Sequence, residues 1–178
     1  MTMPQFFPPP PDLLPALAAV PGMAMEPTML VTQEGPSGQL GPEAAGAILW
    51  LQATFGDEEG ARRFWEASVP LDEQLARAPG FIRRYSFAAH RSAHLIALWE
   101  KIDDAQRFAA SAGHREASRA LFAGRWQYSH FAALWELRSN RGRIFFCPEC
   151  HGTTPAPAEA CRSCGTPIVD VYHLPASA

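Results

Sequence analysis

All four cysteines of the chain lie in two pairs, Cys147-Pro148-Glu149-Cys150 and Cys161-Arg162-Ser163-Cys164, separated by ten residues. Two thiolates three positions apart can grip one ion from a tight turn. Two such turns complete a tetrahedral four-sulfur shell, most simply for Zn²⁺. Pro148 and Gly165 are residues that favour these turns. Iron in a rubredoxin-like site would use the same four thiolates. The alternative, two disulfides, suits a small secreted scaffold. A chain of 178 residues without a visible export signal does not read as one. A closed shell leaves no position for a substrate, so its expected role is structural, and chemistry has to be sought earlier in the chain.

The length allows one ordinary globular domain and a small appendix, and a hydrophobic content of 47% is ample for a core. A formal charge of -3 does not describe a nucleic-acid binder by bulk charge. Fourteen arginines stand against one lysine, Lys101. Coding bias explains that ratio, and so would retention of arginine for carboxylate or phosphate binding. No apolar run reaches the roughly 18–20 residues that span a bilayer, and no secretory pattern opens the chain. With reduced cysteines, this points to the cytoplasm.

Residues 1–42 carry ten of the seventeen prolines, including Pro8 to Pro11, and no lysine or arginine. They read as an extended arm or linker, with an apolar patch from Leu13 to Val20 that could lie on a surface. Residues 43–142 form the folded body and 143–178 the ribbon. Within the body, 47–55 is a strand-length apolar run between glycines. Asp57 caps a helix with Ala61, Phe64, Trp65 and Ser68 on one face. Pro70 is expected to interrupt it, with Asp72 capping a second short helix. Residues 81–99 read as a hairpin whose first strand places Phe81, Arg83, Tyr85 and Phe87 on one face. A helix from Asp103 or Asp104, bent at Gly113, runs to Gly124, and 129–137 closes the body as a strand. Strand, helix, strand, strand, helix, strand is the α+β, ferredoxin-like βαββαβ order. Both helices on one face leave the other face bare, which predicts a homodimer.

Several stretches carry a resemblance. They are Pro79-Gly80-Phe81, Leu98-Trp99-Glu100, Asp104-Ala105-Gln106-Arg107-Phe108-Ala109, Ala112-Gly113-His114-Arg115, and Trp126 before the closing strand. Together, residues 46–138 resemble the dimeric α+β barrel proteins that include the antibiotic-biosynthesis monooxygenases, nearest the spheroidene-monooxygenase-like branch. The resemblance implies sheets closed face to face between two subunits, and a pocket between sheet and helices in each. Members of this superfamily include cofactor-independent oxygenases, haem-degrading enzymes, haem peroxidases and haem dehydratases. In the haem-degrading members the iron-binding histidine sits further along the second helix, at a place that falls on Ser118 here. That departure speaks against haem degradation.

His114 is the leading candidate residue, as an axial haem ligand or as a general base tunable near neutrality. A histidine at a helix break, hydrogen-bonded at the surface or to a carbonyl, is the plainer reading. Arg115 and Arg119 lie one and five residues beyond it, so of the two Arg119 could approach a shared helix face. Arg83 could meet a carboxylate or haem propionate, or cross the sheet rim to solvent. Trp126, Tyr85 and Trp50 could line a pocket for a planar molecule, or serve as core and dimer interface. His94 and His130 could meet across a sheet, and His151 could hydrogen-bond a thiolate. His173 has no identifiable partner. The glycine loops and nucleophile elbow of other enzyme classes are absent.

Two functions follow as expectations. One is a monooxygenase-like oxidoreductase, with haem or without, acting on a small apolar or aromatic metabolite in the barrel pocket, with a structural zinc ribbon. The other is a non-catalytic dimeric scaffold that docks a protein partner through the ribbon. Residues 144–178 hold one arginine, Arg162, and no lysine, which makes nucleic acid the poorer partner.

Overall fold

The central strand is built from alternating large and small apolar residues, Ala47 to Phe55, and is paired on both sides. In the computed structural model the described residues are 15, 28–89, 91–124 and 126–169. The proline run 8–11, the patch 13–20 apart from Pro15, and His173 lie outside them. In chain order the elements are β1 (Thr28–Glu34), β2 (Ala47–Phe55), α1 (Glu58–Leu75), β3 (Phe81–Ala89) and β4 (Ser92–Trp99). There follow α2 (Ile102–Ala109), α3 (Ala112–Gly124), β5 (Gln127–Glu136), β6 (Ile144–Phe146) and β7 (Thr153–Pro155). Strands β1 to β5 form one antiparallel sheet in the order β1-β3-β4-β2-β5. From β2 to β5 this is the α+β, ferredoxin-like arrangement. β6 and β7 form a separate two-stranded ribbon.

Three local features depart from the sequence reading. Residues 28–34, read as part of an arm, are an edge strand paired along β3 from Thr28↔Ala89 to Glu34↔Arg83. Pro70 does not end α1, which runs eighteen residues through it. An interior proline costs about 3 kcal/mol, and here the turn beyond it is anchored at two points. Leu75 is buried in the core, and Asp72 pairs with Arg84 of β3 rather than capping a new helix. Third, the β3–β4 register shifts by one residue between Phe81 and Arg83. This bulge at Ile82 reverses the faces expected for the rest of β3.

The start of α1 follows its sequence signal. The Asp57 carboxylate accepts from the Gly60 N–H at 2.7 Å, and Glu58 and Glu59 sit in the first turn. Gly80 precedes the hairpin at φ 77°, and a Cβ there would stand 2.3 Å from an Asp104 carboxylate oxygen. Glycine is therefore required on two counts.

The helices cover one face of the sheet. Ala47, Ala97, Phe81 and Trp99 pack there with Leu75, Ala78 and Ala105, while Ala53, Phe55 and Ala93 pack with Phe64. On the opposite face Ile82, Leu98 and Ala45 gather Ile48, Tyr85 and Ile96. Beyond them Trp50, Phe131 and Trp135 form an exposed aromatic cluster, with ring centroids 5.5 and 6.1 Å from Trp50.

The ribbon is clamped to the body by its leading segment. Arg143 grips Glu43 through two bonds of 2.7 and 2.8 Å. The Asn140 amide donates to the carbonyls of Pro42, Glu43 and Ala45 at 3.1 to 3.3 Å. No helix among the described residues is long and apolar enough to cross a membrane.

Candidate functional site

The four cysteine sulfurs lie within 4.8 Å of one another, with Cys147 and Cys164, and Cys150 and Cys161, each 3.6 Å apart. Metal–sulfur bonds of about 2.3 Å at tetrahedral angles give sulfur separations of about 3.8 Å, so the four thiols could hold one metal ion. The two turns are built alike. His151 N–H donates to the Cys147 carbonyl at 3.0 Å, and Gly165 N–H to the Cys161 carbonyl at 2.9 Å. Each first cysteine N–H reaches back across its turn, to Gly152 at 2.9 Å and Thr166 at 2.8 Å. Gly165 and His151 both have positive φ, 76° and 56°. His151 thus takes a conformation that glycine adopts more readily.

Backbone N–H groups of Cys164 and Ser163 hold the Cys161 thiol down to about 6, and that of Cys150 lowers Cys147. Against the Gly152 N–H, the crowding thiols of Cys164 and Cys161 push Cys150 up to about 12. Four adjacent thiols cannot all ionise without a cation among them, which is the chemistry of a metal shell.

The second site is a cavity of about 540 Å³ between the covered sheet face and the helices. Its size follows from the sheet's small residues, since Ala93, Ala97 and Ala132 alternate with Leu49, Leu51, Leu95 and Leu134 on that wall. Trp65, Leu71, Phe108, Leu121 and Phe122 supply the helix side.

The polar groups on the wall are few. Arg84, 6% exposed, pairs with Asp72, and one of the two bonds is 3.1 Å. His114 meets Phe108 edge-on at 5.4 Å, and its Nδ1 is 3.5 Å from the Ser118 hydroxyl. Burial pushes the His114 imidazole below its ordinary range, and the Ala109 carbonyl offsets this in part. His130 is lowered by burial too, with Nδ1 2.8 Å from Gln127 Oε1. Both rings are accordingly neutral at neutral pH and able to accept a proton. Four buried atoms of lining residues, Arg84 Nε, Ser86 Oγ, His94 Nδ1 and Trp99 Nε1, have no hydrogen-bond partner among the described residues. Leaving such a group unpaired costs about 1–3 kcal/mol.

Of the residues singled out in the sequence, the fold brings His114, His130 and His94 to the lining of this cavity and leaves Arg83, Arg119 and Trp126 elsewhere. Arg83 points to the opposite face and pairs with Glu34. Arg119 is exposed on α3 and is not on the wall. Trp126 belongs to another cleft of about 350 Å³ with Asp57, Arg63 and Tyr128. His94 stacks on Phe87 at 4.8 Å instead of meeting His130. Arg84, Asp72, Ser86 and Trp99 were missed as site residues. Strand alternation places Arg84 and Ser86 together, but only the bulge at Ile82 decides which face they take.

A haem in the cavity would find an axial donor in His114. Its propionates would not be matched, since the wall's one guanidinium, Arg84, is already held by Asp72 and the wall has no lysine. The residues present do not fit that group.

No family model matches the chain, and no curated protein matches it. Solved structures are similar to it at low identity. SnoaB, a cofactor-independent oxygenase from Streptomyces nogalater, is 22% identical with a TM-score of 0.44, covering 56% of this chain and 100% of that one. A monooxygenase from the gene ActVA-Orf6 of Streptomyces coelicolor, in complex with nanaomycin D, is 18% identical with a TM-score of 0.47, covering 54% and 90%. LmHde, a heme-degrading enzyme from Listeria monocytogenes, is 10% identical with a TM-score of 0.43, covering 60% and 67%.

Proposed function

We propose that the chain is a monooxygenase-like oxidoreductase of the cytoplasm that takes a small apolar or aromatic metabolite into the cavity. The observation that carries this reading is the cavity itself. At about 540 Å³ it falls within the roughly 300–1,000 Å³ of small-molecule sites, and it has their composition, apolar walls with a few converging polar groups. A scaffold protein would have no use for such a volume and would fill it with side chains.

In this reading His114, neutral through burial, is the general base. It takes a proton from an acidic C–H of the substrate, and the resulting carbanion passes electrons to O₂. The substrate is the sole reductant. A CH₂ group loses two hydrogens and gains one oxygen atom, and the second oxygen leaves as water. The test is oxygen consumption and product mass with activated aromatic CH₂ compounds, in the protein and in His114→Ala. Loss of about 10²–10⁴-fold in the variant is the expected result. Turnover unchanged by His114→Ala would remove the histidine from the chemistry.

Two structural roles accompany the proposal. The four cysteines hold a structural Zn²⁺, and elemental analysis with a colourless protein is the expected result; a red protein would indicate iron. The aromatic face of Trp50, Phe131 and Trp135 closes on a second copy. Sedimentation should give a dimer for the protein and a monomer for Trp50→Asp.

A further inference from the structure

An irregularity in β5 re-aims a polar side chain. His130 is paired with Ala53 of β2 and Ser129 with Thr54, but the partner of Phe55 is Gln127. Tyr128 is thus an extra, bulged residue, and it stands 85% exposed. In a regular strand, residues three apart point to opposite faces. The bulge instead sets Gln127 and His130 on one face, the covered face where Ala53 and Phe55 pack. There the two side chains meet, with Gln127 Oε1 2.8 Å from His130 Nδ1.

That contact fixes the state of the ring. An amide oxygen only accepts, so Nδ1 carries the proton. Burial keeps the ring neutral, and Nε2 is left as a lone-pair acceptor. No residue among those described donates to it. Phe122 meets the ring edge-on at 5.3 Å and is itself 61% exposed, which puts His130 at the open end of the cavity. His114 precedes Phe122 by eight residues on α3, about 12 Å along the helix axis. It lies beside Phe108, which packs on Trp99.

The other unpartnered groups of the lining do not compete for this role. Arg84 and Trp99 only donate, and Ser86 is on β3, with β4 and β2 between it and β5. His94 belongs to the lining, but its ring stacks on Phe87 at 4.8 Å and 7°. Alternation gives that ring the face of Tyr85 and Ile96, and its Nδ1 is buried.

We infer that His130 Nε2 is a specificity-determining acceptor that holds an N–H or O–H of the bound molecule at the cavity's open end. Gln127 is the positioning residue that sets its tautomer. The inference rests on the reading of the cavity as a small-molecule site. It adds the group by which that molecule is selected and its orientation, donor outward and apolar end toward His114.

Three flat compounds of one shape test this: carbazole with an N–H, dibenzofuran with an acceptor oxygen, and fluorene with neither. Binding to the full chain is measured by equilibrium dialysis, with thermal melts confirming that each variant is folded. Carbazole should bind about fivefold more tightly than the other two, as expected for one added hydrogen bond. His130→Phe should remove that preference and keep the affinity for fluorene. In ¹⁵N spectra of the histidine rings, His130 should have Nε2 as its unprotonated nitrogen, and Gln127→Leu should give a mixture of tautomers. Gln127→Leu should also lower the carbazole preference about threefold, and Gln127→Glu should restore it. Equal binding of carbazole and dibenzofuran, a preference that survives His130→Phe, or a neutral ring protonated at Nε2 overturns the inference and leaves the cavity reading standing. Carbazole preference in a protein that oxidises no activated CH₂ compound upholds the inference and overturns the proposed oxidation. No binding by any of the three overturns the cavity reading and this inference together.

Discussion

The body and the ribbon of this chain are ordered by different means. In the body, three clusters of buried apolar residues sit on the two faces of one sheet. In the ribbon, the buried residues are Cys147, Cys161 and Thr154, while Ile144, Phe146 and Val169 are exposed. A segment with so little interior cannot offset its conformational entropy by burial alone. The proposed metal shell would supply the order there, and packing supplies it in the body. The difference explains why one region is free to carry a cavity and the other is not. A packed sheet can leave a gap beside alanines and survive, whereas the ribbon has nothing to spare.

The sharpest way to break that contrast is to remove the proposed metal. Cys161→Ser, or a strong chelator, should abolish a contribution of about 10–16 kcal/mol to the ribbon. Amide exchange should lose protection over residues 144–169 and keep it over β1 to β5. Collapse of both regions together would show that the ribbon is part of the body's architecture.

A change in the body should act in the opposite sense. Asp72→Ala leaves the Arg84 guanidinium buried without its partner, which should cost the body about 3 kcal/mol in chemical denaturation. The low end of the range applies because the Asp72 side chain is 28% exposed. Metal content should not change.

The clamp between the two regions is weaker. Glu43→Gln replaces a charged two-bond grip on Arg143 with a neutral one and should cost about 1 kcal/mol. Faster exchange at residues 140–143, with metal retained and the body's melt nearly unchanged, is the expected signature.

The smallest effect is one of pH. His114 and His130 are both held below their ordinary value by burial, so the folded body binds fewer protons than the unfolded chain. Its stability is full above the ordinary histidine value, about 6.5, and declines as pH falls below it toward the lowered folded values. Melting curves between about pH 7 and pH 5 should show this decline, and His114→Gln with His130→Gln should flatten it. A double variant as steep as the parent would assign the decline to other groups.

The two regions also differ in how much the sequence disclosed. Spacing alone located the four thiols, because a turn that presents two ligands to one ion is a local event. The strand and helix order from 47 to 136 was legible for the same reason, through alternation, helical spacing and the glycines at 46, 56, 80 and 124. What was missed depended on contacts between distant residues. Pro70 reads as a helix stop, and only burial of Leu75 and the reach of Asp72 to Arg84 carry the helix past it. Residues 28–34 lack the glycine-bounded apolar run that marks β2, and their strand exists because β3 offers an edge. The bulge at Ile82 leaves no mark in the local pattern, yet it decides that Arg84 and not Arg83 faces the cavity.

The clamp at Glu43, Asn140 and Arg143 has a mechanical consequence. A pull on the ribbon reaches these contacts before it reaches Leu137, whose N–H donates to the Gly46 carbonyl at 2.8 Å. Past that bond lies the end of the β2–β5 ladder, at Ala47↔Glu136. Load arriving there would peel β5 away one hydrogen bond at a time, the weakest geometry for a strand under tension. With the clamp intact, the force is shared among several bonds on the segment that leads into β2. It works as a fuse, yielding first and sparing the strand that carries His130 and Leu134 on the cavity wall.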